Sequence, residues 1–231
     1  SDLWDDRAKK AAYINLYNAT MIYNLLKYAK SEKIAVDGDA FKALEINSLK
    51  LPGGNIWNGD YKVKIAGLAV NLDDIEHGPS RGNAKDDLAA IKVSQLDPRI
   101  HSAVNCAAIS CPRVREVAYR PESIDTMLDE NMHEFLSSDA QFHKASEAEM
   151  KANSIVFWYY DDFDGYGKKA GKDGGAGDYL GQFVAKTAKD HDWKVKHLHD
   201  NFNDRSKISL KLSSSFTFAY DWRVNDVRNK P

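Results

Sequence analysis

The chain has 231 residues, 43% of them hydrophobic, which is enough for a real core and argues against a disordered polymer. Its 32 basic and 34 acidic side chains are interspersed and leave a net charge of -2, so no basic face points to nucleic acid. No apolar run approaches the roughly 18 residues of a transmembrane helix, and two cysteines are too few for a disulfide-rich scaffold.

The chain opens at "SDLWDDRAKK", already inside a helical pattern, with no signal peptide in view. The expectation is a trimmed chain whose natural start lies upstream. From about Asp5 to Lys30, Ile14, Tyr17, Met21, Leu25 and Tyr28 recur at helical spacing, with Ile22, Leu26 and Ala29 beside them. Asn18 falls inside this apolar stripe, and Asn15 lies one turn earlier. A buried amide must find partners or cost on the order of 1–3 kcal/mol.

A mixed segment with turn chemistry in "LPGGN" follows. "YKVKIAGLAVN" reads as a hairpin, Val63 and Ile65 before an Ala-Gly turn and Leu68 and Val70 after it. In "NLDDIEHGPSR", Asn71 caps a short helix, Asp73 and Asp74 favour its first turn, and Gly78-Pro79 stops it. His77 then sits in the last turn, where the helix dipole favours the imidazolium form.

"DPRIHSAVNC" reads as a strand, with Ile100, Ser102, Val104 and Cys106 on one face and His101, Ala103 and Asn105 on the other. The small residues "AAIS" suggest a loop ended by Pro112. "RPESIDTMLDENMHEFLSS" is a helix with Ile124, Met127, Leu128, Phe135 and Leu136 as its buried stripe. "SIVFWYYDDF" reads as strand-like, 165–178 as a mobile glycine-rich loop, and "DYLGQFVAKTAKDH" as a third helix. A closing hairpin sets Ile208, Leu210 and Leu212 against Phe216, Phe218, Tyr220 and Trp222. No repeat or linker divides the chain. The expected architecture is α+β: one domain over residues 1–231, helices packed on a small antiparallel sheet, with a distant papain- or transglutaminase-like arrangement as an option.

Five stretches occur in the order of one family: "YINLYNA" at 13–19, "LDDIEHG" at 72–78, "DPRIHSAVNCAAISCP" at 97–112, "FWYYDDF" at 157–163 and "YDWRVND" at 220–226. On these motifs the chain resembles the domain of unknown function 547 family over about residues 11–226. Bacterial members are mostly exported, so the resemblance implies a periplasmic or secreted protein. It implies no particular reaction. Pro79-Ser80 stands where the family usually has an aliphatic pair, and the loop at 165–178 is longer than usual.

Three chemistries compete for the stretch from Arg99 to Pro112. A cysteine-dependent hydrolase or acyltransferase acting on peptide or amide bonds would use Cys106 as nucleophile and His77 or His101 as base. Glu76, Asp97, Asn105 or Asn18 would orient that base. Both histidines precede both cysteines, and no helix obviously starts at Cys106, which counts against a standard papain arrangement. The second reading, given the export implied by the resemblance, is a Cys106–Cys111 disulfide in a non-catalytic periplasmic domain that binds a peptide or small molecule. The third is a metal site in which His77, His101, Cys106 and Cys111 supply two nitrogens and two sulfurs. Its His-x4-Cys-x4-Cys spacing is no usual knuckle.

Asn105, Arg81, Arg99 and Ser110 are candidate substrate contacts. Arg81 and Arg99 also fit a buried ion-pair network, with Glu76 as one partner. Asn18 is expected to hold the loop around 105–111 through backbone hydrogen bonds. "FDG" at 163–165 reads as a plain turn, and it lacks the oxygen ligands of a calcium loop. His133, His143, His191, His197 and His199 read as surface residues. No cofactor fingerprint is legible.

Overall fold

The computed structural model describes residues 4–65, 67–82, 86–169, 174–208 and 215–225. The chain divides into two compact units. Unit 1 comprises Ser1–Leu96, Ala103–Met127 and Asp221–Pro231; unit 2 comprises Asp97–Ser102 and Leu128–Tyr220.

Unit 1 is organised on α1 (Asp6–Ser31). Asp5 caps it by accepting from the Ala8 N–H at 2.8 Å. At the other end Lys33 turns into the left-handed region, φ 57°, and ends the helix. Ile14, Tyr17, Met21 and Leu25 are buried as their spacing requires, whereas Ile22 and Leu26 are exposed. The apolar stripe is therefore narrower than the sequence suggested. A one-turn helix α2 (Asp39–Lys42) follows. The Pro52-Gly53 turn joins β1 (Lys50–Leu51) to β2 (Gly54–Asn55), with Gly53 at φ 78°.

The next hairpin is as expected: β3 (Val63–Ile65) pairs antiparallel with β4 (Leu68–Val70), Val63 opposite Val70. So is α3 (Leu72–His77). Asn71 accepts from the Asp74 N–H at 2.8 Å, and Asp74 accepts from the Asn71 N–H at 3.0 Å. This reciprocal cap starts the helix. Gly78 ends it, and a 3-10 turn follows at Pro79–Arg81.

The expected strand at 97–106 is not formed. Pro98–Ser102 is a 3-10 helix. Asp97 starts it, its carboxylate accepting from the Arg99 N–H at 3.1 Å and its carbonyl from the Ile100 N–H at 3.1 Å. These local bonds displace the extended alternative.

The helix α4 (Ile124–Ser137) has the expected buried stripe. Beyond it, unit 2 contains β5 (Phe142–Lys144), β6 (Met150–Asn153), α5 (Ser154–Trp158), α6 (Tyr160–Lys169), α7 (Ala176–Gly181), α8 (His191–Phe202) and β7 (Phe216–Ala219). The sheet order is β5-β6-β7. β5 and β6 are antiparallel, but β6 and β7 are parallel, so this sheet is mixed rather than antiparallel.

The "SIVFWYYDDF" segment is helical, not strand-like. Asn153 caps α5 by accepting from the Ile155 N–H at 2.9 Å, and Val156, Tyr160 and Phe163 are buried at helical spacing. "FDG" lies within α6 rather than in a turn, and the expected loop from 165 is helical up to Lys169 and again from Ala176. The third helix stops at Gly181, and α8 is a separate helix that the sequence reading passed over. The Leu210 and Leu212 arm of the closing hairpin lies outside the described residues. Tyr220 and Trp222 are not in a strand.

The unit 2 core gathers Phe135, Phe142, Val156, Phe163, Leu180, Phe202 and Phe216. His197 is buried there, its Nε2 2.7 Å from the Ser215 carbonyl, which corrects its assignment to the surface. Lys194 is also buried, only 1% exposed, and its ammonium donates to Asp139 at 2.8 Å. That bond holds the Asp139 carboxyl below the usual carboxylate range, against the opposing effect of desolvation.

Two outcomes follow. Asp139→Asn weakens the partner of a buried ammonium and lowers stability at pH 7 by on the order of 2 kcal/mol, since Asp139 itself is partly solvated. Because the folded pKa is depressed, this contribution is complete above the ordinary carboxylate pKa near about 4 and disappears as pH falls through the lowered value. Urea titrations of both proteins from pH 7 to pH 2 should therefore converge at the acid end. Gly177→Ala places a Cβ 2.0 Å from the Leu198 carbonyl oxygen, where α7 meets α8. It should cost about 1–3 kcal/mol in the same titration at neutral pH.

Candidate disulfide-closed loop

Residues 103–112 carry no regular secondary structure, yet Ala103, Asn105, Ala108, Cys111 and Pro112 are buried. A buried coil must find partners for its backbone polar groups, and α1 supplies them. The Asn18 amide accepts from the Asn105 N–H at 2.8 Å and donates to the Ala103 carbonyl at 2.9 Å. One turn earlier, Asn15 makes the same two-way contact with Tyr119, accepting from its N–H at 2.9 Å and donating to its carbonyl at 2.8 Å. Each amide imitates a neighbouring strand.

Asn105 then closes the loop from within. Its Oδ1 accepts from the Ala107 N–H at 2.7 Å, and its Nδ2 donates to the Pro112 carbonyl. Ala107 has φ 63°, a left-handed conformation that costs a non-glycine residue about 1 kcal/mol. The loop's outer side lies along residues 221–225. Ile109 N–H donates to the Arg223 carbonyl at 2.9 Å, Asn225 N–H donates to the Ala107 carbonyl at 2.6 Å, and Asp221 N–H donates to Ser110 Oγ at 2.8 Å. Arg223 grips the Asp221 carboxylate and lowers its pKa.

Cys106 and Cys111 are disulfide-bonded, S–S 2.09 Å, so neither sulfur is a thiolate in this state. Closing so short a loop constrains the unfolded chain by only about 2 kcal/mol on the chain-entropy estimate. Cys106 is half-buried and Cys111 buried. The Cys106 N–H donates to Cys111 Sγ at 2.9 Å.

The other candidates have different surroundings. In α3, His77 is exposed and Glu76 buried, as their adjacency on a helix requires. Arg81 donates to His77 Nδ1 at 2.9 Å. A guanidinium has no acceptor, so in this contact His77 Nδ1 is the accepting atom. Burial raises Asp73 above the usual carboxylate range; His77 pulls it back, while Glu76 and Asp74 push it up.

Arg99 and His101 belong to unit 2. Arg99 grips both oxygens of Asp97, at 2.9 and 2.6 Å, and reaches Asp129 at 2.8 Å. Glu76 is not among these partners of Arg99. His101 is buried, stacks on Tyr159 at a ring distance of 3.7 Å, and donates through Nε2 to Asp162 at 2.8 Å. Asp162 and Tyr159 were missed because "FWYYDDF" was read with a strand's period. A helical period puts them on one face, three residues apart.

Among the described residues, no three His, Cys, Asp or Glu side chains converge to hold a metal ion. In the N2S2 set, both sulfurs are already bonded to each other. No helix among the described residues is long and apolar enough to cross a membrane.

An α+β chain with a buried, disulfide-closed loop held by helix amides is thus the class the fold defines. The family model described as "Protein of unknown function, DUF547" matches residues 1–136, which include α1, α3 and this loop, and the chain belongs to that family. No curated protein and no solved structure matches it.

The loop's dependence on α1 is directly measurable. Asn18→Ala leaves the Asn105 N–H and the Ala103 carbonyl without this partner and should lower stability by about 2–3 kcal/mol. Amide hydrogen exchange at Asn105 should accelerate more than exchange in the middle of α1. Equal acceleration at both would assign Asn18 to general packing instead.

Proposed function

We propose that the chain is an exported, periplasmic or secreted, non-catalytic binding domain for a peptide or small-molecule ligand. The Cys106–Cys111 disulfide carries this reading. Disulfides form and persist in oxidising compartments, which supports export. The hydrolase reading needs a thiolate at Cys106, which the bonded pair does not supply.

Four of the candidate polar groups hold the scaffold. Asn18, Asn105 and Ser110 hold backbone, and Arg99 holds Asp97 and Asp129. The scaffold fixes the root of the stretch that follows. There Val114 and Val117 are exposed, flanked by Arg113 and Glu116, which bond to each other at 3.1 Å. Apolar side chains held outward between charges suit a peptide or a small amphipathic ligand.

The test is mass spectrometry on protein isolated without reductant. The intact chain should be lighter than its reduced form by the hydrogen pair lost on bonding, and native treatment with iodoacetamide should label neither cysteine. Selective alkylation of Cys106 in the untreated chain would overturn this reading and restore the cysteine-dependent hydrolase.

A further inference from the structure

The loop that the disulfide closes is already closed without it. The Asn105 side chain ties Ala107 to Pro112 across the same span. Asn18 fixes the loop's entrance, and the backbone of 221–225 fixes its outer side. The covalent link therefore duplicates an existing restraint. A short loop also gives it little effect on the unfolded chain.

The two sulfurs are unequal. Cys106 is half-buried and Cys111 is buried, so an incoming thiol reaches Cys106 first. Cys111 Sγ already receives the Cys106 N–H at 2.9 Å. When the bond breaks toward Cys111, that N–H faces a thiolate, and the contact becomes a stronger, charge-assisted hydrogen bond. Accessibility selects the attacked sulfur, and hydrogen bonding selects the leaving one. Both choices agree.

From the half-buried Cys106, the buried and hydrogen-bonded Cys111 and the second closure by Asn105, we infer that the disulfide is a reversible thiol–disulfide exchange site for a dithiol reductant. The reductant's thiolate attacks Cys106 Sγ. A new S–S bond forms, the old one breaks, and its electron pair passes to Cys111 Sγ. The reductant's second thiol, as thiolate, then attacks its own sulfur in the mixed disulfide and expels the Cys106 thiolate. The reductant leaves as a disulfide, oxidised by two electrons. The protein keeps a dithiol, whose sulfurs take up the two protons given up by the reductant. The loop stays in place because Asn18, Asn105 and residues 221–225 still hold it. This goes beyond the binding-domain reading, because a permanent staple would satisfy that reading equally well.

The experiment exposes the folded full chain to dithiothreitol, followed by acid quench, maleimide capture, mass analysis and far-UV circular dichroism. The bond should open with the dichroism spectrum unchanged and re-form on addition of glutathione disulfide. The trapping arm uses single variants reduced beforehand. On addition of glutathione disulfide, Cys111→Ser should form a mixed disulfide at Cys106 with release of one reduced glutathione, whereas Cys106→Ser should react at Cys111 at least about tenfold more slowly. A bond that resists dithiothreitol until the chain unfolds overturns the inference. So does loss of the dichroism spectrum on reduction, or equal trapping rates in the two variants. If a variant fails to fold, the wild-type arm decides alone. The mass taken before any reductant separates the two proposals. A missing bond there removes the binding-domain reading, while a bond present but resistant removes only the exchange site.

Discussion

The two-way hydrogen bonding of Asn18 is the constraint on which the buried loop of unit 1 depends. A coil of small residues cannot enter a protein interior unless its amides and carbonyls are satisfied. Regular structure would satisfy them internally, but residues 103–112 adopt none. Asparagine solves the problem from the helix side. Its amide has the donor and acceptor of a peptide unit, and it can meet one carbonyl and one N–H on the same stretch. Asn15 and Asn18, three residues apart on α1, apply this solution to two separate stretches, at Tyr119 and at Ala103–Asn105. An aliphatic residue at Asn18 would improve the helix stripe and leave the loop unsatisfied.

With the loop held this way, its composition has a physical explanation. Ala108 is completely buried, and Ala107 takes a left-handed conformation that bulkier residues resist. Ser110 is small enough to lie beside residues 221–225 and still offer an oxygen to the Asp221 N–H. The 222–225 segment is in turn paired with residues 44–46 on its other side, Val224 N–H to the Leu44 carbonyl and Ile46 N–H to the Trp222 carbonyl, both at 2.8 Å. The loop thus lies at one side of a short ladder assembled from distant parts of the sequence, with α1 amides completing its inner edge.

What was legible in the sequence was local. Asn71 and Asp74 cap each other three residues apart, so α3 could be read directly, and the β3–β4 hairpin carried its own turn. The stripe of α1 predicted that Asn18 would be buried and would brace the loop. What was not legible depended on ambiguous periods. In "RIHSAVNC" a two-residue period sets Ile100, Val104 and Cys106 on one face, while the decisive signal, Asp97 before Pro98, announces a tight turn. In "SIVFWYYDDF" the aromatic and β-branched content suggests a strand, but burial of Val156, Tyr160 and Phe163 follows a helical period. Pairing of β7 with β6 is parallel and joins residues more than sixty positions apart, which no local pattern encodes.

The two candidate histidines show why identity and spacing do not define a site. Each ring is oriented by a charged neighbour, but the signs are opposite. His77 accepts from the Arg81 guanidinium at an exposed helix end, a contact that requires a lone pair on Nδ1. His101 donates to the Asp162 carboxylate from a buried stack on Tyr159, a contact that requires a proton on Nε2. A general base needs an accessible lone pair facing its substrate, and an aspartate behind a histidine supports that role only when the far nitrogen reaches the reacting group. His101 has the aspartate, but its ring is buried. His77 has the exposure, but its Nδ1 lone pair is taken by Arg81. The cysteines show the same division between partner and access: Cys111 has the hydrogen bond that stabilises a leaving thiolate, and the half-buried Cys106 is the more accessible to an attacking one. In the cysteines the two properties are joined by a covalent bond, so they can act in a single exchange step. In the histidines they belong to separate units of the chain.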